Sequence, residues 1–577
     1  MNIRILSRTM STFSQSTKHN KTYKETLGAL EALINHTVPS GISTLSQNGF
    51  ADSSHAQRTR VVPPQNPHKQ FYNLKAMNSY VNVLKLPHQK LSYIHMAGTK
   101  GKGSTCAFCE SILRNEGYKT GLFTSPHLID VRERIRIDGI PVPKAVFVDT
   151  VWDIFDGLKQ SELFPSMTTY FRFITLVALK CFLDAKVDVA IMECGLGGRL
   201  DATNIIRPDV CGISSIGYDH CSVLGKTLDK IAFEKAGIMK KNVPVVVQPQ
   251  SSEEIMPVFE EHSKKVGAPL YVSPTFDKWE SANNLHSITL GLHGTHQRMN
   301  ASLALSLTDI WKLSQDIKKS TGGKDISSSS SPITIESTTS DSGGLSEIQP
   351  HKLTSNTLQG LTECKLGGRS QHIEFPIHKL HFYLDGAHTK ESLTYAFQWF
   401  QKAAEKRGAE EDSWIQDLSS DEELEEINHL APMLHGRGEE TLSDGDNLEE
   451  RPLRYLVFNY TGGRDANQLL EPFIKKREFF DRVFFVPTDS SHFSFSKVHE
   501  LSDSDREQLE NLQQVWADNS SSKIFTRINT LLEDLFSPNN SSEYHRERHI
   551  FVTGSMYLVG DFLRKLSALK QSRTQKE

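Results

Sequence analysis

The stretch that most narrows the possible folds is residues 91–117, LSYIHMAGTKGKGSTCAFCESILRNEG. An apolar run stops at Gly98, and the seven residues to Ser104 hold three glycines and two lysines. Apolar residues then recur at helical spacing until Gly117. The pattern predicts a buried strand, a glycine-rich turn and a helix beginning near Ser104. In that order the turn's amides and the helix's positive end converge on one point, an arrangement suited to a phosphate. The spelling departs from the common phosphate loop, in which Gly-Lys is followed at once by Ser or Thr. Here Gly103 intervenes, the hydroxyl arrives at Ser104, and Met96 stands where the pattern would open on glycine. Lys102 supplies a point charge for the outer phosphates.

The same punctuation recurs along the chain. YKTGLFTSPH reads as a strand ending in a polar turn, and TTYFRFITLVALKCFLDA as a helix. VDVAIMECGLGG is a buried strand ending on Glu193, and VCGISSIGYDH repeats the form. From about residue 353, HKLHFYLDGAHTKESL, RYLVFNYTGGRD, RVFFVPTD and HIFVTGSMYLVGDFL are strands feeding turns or helices. Strands alternating with helices predict parallel α/β sheets with ligands beyond the strands' carboxyl ends. A chain of 577 residues exceeds one core. We expect a leader over 1–20, an N-terminal domain over 21–312, a low-complexity linker or insertion over 313–352 and a C-terminal domain over 353–577. The linker is too poor in apolar residues to fold.

Charge is unevenly placed. Segment 409–450 holds 15 of the chain's 69 acidic residues and one of its 65 basic residues, Arg437. The whole carries −4 and the remainder +10, a balance that suits polyanionic small molecules. Lys and Arg do not cluster with aromatics, which argues against nucleic acid as a partner. The longest apolar run, FRFITLVALKCFL, carries Arg172 and Lys180 and reads as a buried helix, not a membrane span. Seven cysteines fit reduced thiols, and Cys106 and Cys109 have no second pair to complete a zinc site. The first 24 residues contain Arg4, Arg8, Lys18, Lys21 and Lys24 and no acid, which fits a mitochondrial transit peptide; Met10 is a candidate cytosolic start.

Three polar residues gather at strand ends beside the loop. A carboxylate such as Glu193 is costly at the end of an apolar strand unless it serves a cation or a water. Ser125 ends the neighbouring strand and His220 the next. Singly they read as a capping serine, a paired glutamate and a satisfied histidine. Together beside a Gly-Lys loop they suggest a hard cation such as Mg²⁺.

AGTKGKGST, SPHLIDVRERIRIDG, MECGLGGRLDATN, GYDHCSVLGKTLDKIAFEKAGI, GRSQHIE and YLDGAHTKES together resemble the motifs of the folylpolyglutamate synthases of eukaryotic type, within the Mur ligase superfamily. The resemblance covers roughly 20–310 and 353–570. It implies a P-loop ATPase-like Mur ligase domain followed by a Rossmann-like α/β domain that carries the acidic insertion 409–450. It further implies a monomeric ligase that uses ATP and Mg²⁺, with a monovalent cation such as K⁺ a further candidate, and adds L-glutamate to reduced folates through an acyl phosphate. Dihydrofolate synthase, alone or combined with that activity, is the alternative. By position, Gly101, Lys102, Gly103, Ser104, Asn300, Arg369 and Asp385 would bind nucleotide, the last two from the C-terminal domain. Ser125, Glu193 and His220 would hold the metal, and Lys235 matches a lysine carbamylated in the family. His388 and Ser555 would meet the incoming glutamate. Gly367 stands where relatives carry proline, and PSMTTYFRF differs from their Gly/Pro-containing version. The implied locations are the mitochondrial matrix and the cytoplasm.

Overall fold

The computed structural model describes residues 18–34, 67–159, 169–320, 337–338, 345–405, 451–461, 464–488, 501–518, 520–537 and 546–574. The leader up to residue 17, residues 35–66 and the acidic segment 409–450 lie outside them. The chain divides into two units, one of residues 1–126, 132–288 and 299–361, the other of 127–131, 289–298 and 362–577.

The first unit is built on ten strands: β1 (Tyr93–Ala97), β2 (Thr120–Phe123), β3 (Ile135–Ile137), β4 (Ile140–Pro141), β5 (Val189–Glu193), β6 (Val210–Ile213), β7 (Val245–Val247), β8 (Leu270–Val272), β9 (Ser337–Thr338) and β10 (Ser346–Ile348). Their order is β4-β3-β2-β5-β1-β6-β7-β8-β10-β9. The seven strands from β2 to β10 in that order are parallel; β3 and β4 at one edge and β9 at the other are antiparallel. YIHMA and VAIME are buried at every position because helices cover both sheet faces. From central β1 the chain leaves to one side for β2 and later to the other for β6. The resulting crevice lies outside the carboxyl ends of β1 and β5.

Two expectations need correction. The helix after the glycine turn spans Lys102–Asn115, beginning two residues before Ser104. Gly101, left-handed at φ 86°, turns the chain into it early. Part of the presumed structureless stretch also folds with the first unit. The helix Thr295–Ser320 runs on past residue 312 with Ser314 buried, and β10 pairs in parallel with β8, burying Ile348. The low mean hydropathy of this stretch conceals a few apolar residues placed where the sheet can cover them.

The second unit holds β11 (Gln371–Phe375), β12 (Leu380–Leu384), β13 (Leu453–Phe458), β14 (Arg482–Phe485), β15 (Ser522–Ile524) and β16 (Arg548–Thr553), ordered β11-β12-β16-β13-β14-β15. Only β11 is antiparallel to its neighbour. Alternate residues of β12, β13 and β16 feed two apolar cores. Phe382, Leu384, Tyr455 and Ile550 lie in one, and Tyr383, Leu456, Phe458 and Phe551 in the other. This is the strand period of two on a sheet covered on both faces. Both units are therefore α/β, as the alternation of strands and helices predicts.

Candidate active site

In the first unit the chemistry-bearing residues meet at the carboxyl ends of β1 and β5. The amides of Thr99 and Lys100 both donate to the Ser215 carbonyl, at 2.8 and 3.2 Å, which pins the loop to the segment after β6. The first helical bond runs from the Thr105 amide to the Gly101 carbonyl. The amides of Lys102, Gly103 and Ser104 thus belong to the turn of a helix that has no acceptor of its own, the position that receives anions. Lys102 Nζ lies 3.4 Å from the Thr99 carbonyl, so its charge stays over the loop.

Glu193 is 3% exposed, and its Oε2 accepts the Ser125 amide at 2.8 Å. A Cβ at position 103 would stand 3.4 Å from the same oxygen. That is an ordinary van der Waals distance, so the carboxylate lies against the helix head without requiring glycine at this position. Ser125 and Glu193 are thus brought together. His220 heads the short helix Cys221–Leu224, half exposed, 3.8 Å from Asp219, whose carboxylate pairs with Lys100 at 3.2 Å. The oxygen-rich set of Glu193 and Ser125 suits a hard divalent cation.

Lys235 is 3% exposed, and its Nζ donates to the Gly98 carbonyl at 2.7 Å. Burial, reinforced by the charge of Lys102, pulls its pKa down to about 7. Near neutral pH much of it is an uncharged amine, the form that reacts with carbon dioxide. Asn300, 4% exposed, takes the Gln248 Nε2 donor on its Oδ1 at 3.1 Å and lies against Gly101.

In the second unit the site residues assemble around Asp385, just past β12. Asp385 Oδ2 accepts the Ser370 amide and hydroxyl at 2.8 and 3.2 Å, and Oδ1 accepts the Ala387 amide at 2.9 Å. One carboxylate thereby ties the Gly-Arg-Ser turn to the Asp-Gly-Ala-His turn. Arg369 Nη1 donates to Met556 Sδ at 2.9 Å, a weak acceptor that a phosphate or ring nitrogen would outcompete. His388 Nδ1 sits 2.8 Å from the Gly386 carbonyl and must carry its proton there, which leaves the lone pair on Nε2. The Gly554 amide donates to the Ala387 carbonyl, tying the turn before Ser555 to the turn that carries His388. Ser555 is fully buried, and its hydroxyl accepts the Tyr557 amide at 3.2 Å at the head of the helix Met556–Thr574.

Three groups here escape a reading of motifs. Gln248 follows β7 and orients Asn300; a polar residue closing an apolar run was its only signal. Asp219 holds Lys100 and sits inside the GYDH block. His296 packs against Gly294, which also faces Ser370. Its pKa is lowered by burial and by Arg369, against the opposing pull of Asp385. Its signal is slight, a histidine four residues before Asn300.

No family model matches the chain. It is 36% identical over 576 residues to a folylpolyglutamate synthase of Arabidopsis thaliana, covering 94% of this chain and 88% of that protein. It is 42% identical over 409 residues to the mitochondrial folylpolyglutamate synthase of Homo sapiens, covering 69% of this chain and 59% of that one. Among solved structures, the bifunctional folylpolyglutamate synthase/dihydrofolate synthase of Yersinia pestis, complexed with AMPPNP and a Mn ion, superposes with a TM-score of 0.55 at 22% identity. That match covers 85% of this chain and 93% of that one.

Proposed function

The chain belongs to the folylpolyglutamate synthase family, and from that premise we propose that its ligation chemistry is carried by Lys102, Lys235 and His388. The reaction is the ATP- and metal-dependent addition of L-glutamate to the γ-carboxylate of a reduced folate. We assign ATP and folate to the first unit, whose helix head and Glu193 lie together at the ends of β1 and β5. We assign glutamate to the second unit. The observation that carries this reading is the approach of the Glu193 carboxylate to Gly103 and the Ser125 amide at the head of the Lys102–Asn115 helix.

A carboxylate is a poor electrophile because its oxygen is a poor leaving group. Its oxygen therefore first attacks the γ-phosphorus of ATP, releasing ADP and giving an acyl phosphate. The amino nitrogen of glutamate then attacks the acyl carbon, phosphate leaves with the C–O electron pair, and the nitrogen sheds its proton. Lys102 and the helix-head amides bind the phosphates and offset the charge that spreads over the transferring group. Asn300, oriented by Gln248, contacts the nucleotide in the first unit; Arg369 and Asp385 are the second unit's candidate nucleotide residues. A divalent metal, Mg²⁺ in our reading, would be held by Ser125, Glu193 and His220 and would neutralise charge on the phosphate oxygens. Lys235, partly in its neutral form near pH 7, would take up carbon dioxide as a carbamate, releasing a proton, and present a carboxylate-like group beneath the loop. His388 directs the Nε2 lone pair that orients the glutamate ammonium or accepts its proton, with Ser555 as the second glutamate-side residue.

Incubation with tetrahydrofolate, ATP, Mg²⁺ and L-glutamate should yield products spaced by one glutamyl residue in a mass spectrum. An unchanged folate overturns the reading. Lys102→Ala should abolish the additions without unfolding the chain. His388→Ala should raise the KM for glutamate or lower kcat, and a variant altered in neither removes that role. The Yersinia pestis structure belongs to an enzyme named for both activities, so dihydropteroate should be compared with tetrahydrofolate as acceptor. For location we propose the mitochondrial matrix and the cytoplasm. Import of the chain from Met1 but not from Met10 supports this, and equal exclusion of both rejects it.

A further inference from the structure

We propose that His372, Glu374 and His381 form a binding site for a first-row divalent transition metal of the zinc type, separate from the catalytic centre. The three side chains share one face of the second unit's sheet. Glu374 lies opposite His381 in the β11–β12 pairing, and His381 lies opposite His549 in the β12–β16 pairing. His372, two residues before Glu374, projects from the same face. Glu374 Oε2 lies 3.6 Å from His381 Nδ1, and His372 Nε2 lies 3.3 Å from it. Ligands at zinc's usual bond lengths in a tetrahedron sit about 3.4 Å apart, so both edges already match.

The next layer fits as well. The other nitrogen of His381, Nε2, lies 3.2 Å from Glu547 Oε1, and the same oxygen lies 2.9 Å from His549 Nε2. A carboxylate that takes the Nε2 proton leaves the Nδ1 lone pair for a metal, the arrangement that commonly supports histidine ligands. His372 is 3% exposed, whereas the Glu374 side chain is 29% exposed. The site thus has a dry wall and an open side through which an ion could enter and a water complete the shell. A second grouping, His381, Glu547 and His549, is also compact. Burial lowers the basicity of His549, however, and Arg454, opposite it on β13, adds to this by charge. That cation disfavours a second one there, so Glu547 serves better as the outer support. Two imidazoles and one carboxylate select zinc-like ions over Mg²⁺. His381 precedes Asp385, just past the end of β12, by four residues, a backbone rise of about 13 Å. Bound at His381, the ion would clamp β11 to β12, the strands whose ends carry Ser370 and Asp385.

The test uses the full-length chain without an affinity tag, stripped of metal and titrated calorimetrically with Zn²⁺. Glu193→Gln serves as the background so that the catalytic centre does not contribute. One Zn²⁺ per chain and a raised Tm are expected, with Mg²⁺ unable to substitute. His381→Ala and Glu374→Gln, read separately in case one misfolds, should each weaken binding by about tenfold or more. Co²⁺ bound to the same background should give the absorption of a four-coordinate ion and lose it in His372→Ala. Absence of binding, or zinc affinity unchanged in folded variants, overturns the proposal.

Discussion

At the scale of single residues, the site's oddity is a buried lysine, Lys235, beside a second cation. Folding takes an ammonium out of water for one backbone acceptor, which is why its pKa falls to about 7 from an ordinary 10.5. Between those values the unfolded chain binds more protons than the folded one, so this residue's contribution to stability rises with pH through that window. Below about pH 7 the cost is present in full, and above about 10.5 it vanishes. Lys235→Met should therefore raise unfolding stability in bicarbonate-free buffer by on the order of a few kcal/mol at pH 7, and Tm with it, with the gain shrinking toward pH 10. The same variant should lose glutamate-dependent ADP release. A Tm that falls equally at pH 7 and pH 10 would show the lysine to be a packing element only. Glu193 behaves differently, because its carboxylate accepts a neighbouring amide, a bond that a glutamine oxygen can also accept. Glu193→Gln preserves shape and the Ser125 contact, so unfolding stability should change by less than about 1 kcal/mol. Turnover should fall by about a hundredfold or more; retention of activity would take Glu193 out of the metal site.

At the scale of elements, the helix Lys102–Asn115 is bounded by two left-handed glycines in different surroundings. A Cβ on Gly101, at φ 86°, would lie 2.2 Å from Asn300 Oδ1, an atom fixed by the Gln248 hydrogen bond. A Cβ on Gly117, at φ 95°, meets nothing within 4 Å. Gly117→Ala should cost only the backbone strain, about 1–2 kcal/mol. Gly101→Ala should cost about 1 kcal/mol more through the Asn300–Gln248 pair and weaken ATP binding as well. Denaturant melts of the two variants give the difference; equal losses would mean that Asn300 moves freely and does not position nucleotide. This contrast also marks what could be read from the sequence. Both glycines are visible as punctuation, and so is Glu193 at the end of VAIME, a polar residue closing an apolar run, whereas Asp385 is reached only through the resemblance of YLDGAH to the family motif. The Gln248–Asn300 pair and the approach of Ser370 to Gly294 join residues 52 and 76 positions apart. Helical spacing and turn chemistry carry no information on such neighbours. The fold of residues 345–361 was hidden for a related reason: Ile348 and Leu361 are too few to register in composition, yet each has a place to bury.

At the scale of the whole molecule, the charge distribution leads to a measurable outcome. The chain carries −4 overall, yet without residues 409–450 it carries +10. ATP and a glutamylated folate are both polyanions, so a cationic body attracts them and an acidic segment of the same chain competes for that attraction. The competition acts through the summed field and is therefore set by ionic strength, with a screening length of about 30 Å at 0.01 M salt and about 8 Å at 0.15 M. Replacing residues 409–450 with a short Gly/Ser linker should tighten ATP binding at low salt by several-fold. The advantage should fade as salt approaches 0.15 M, while kcat at saturating substrate stays the same because Lys102, Glu193, Lys235 and His388 are untouched. Equilibrium titration of both proteins with a fluorescent ATP analogue across a salt series measures this. Parallel salt dependences would mean that the acidic segment is electrostatically remote from the nucleotide site. A fall in kcat would mean that the segment contributes to the fold or to the site itself.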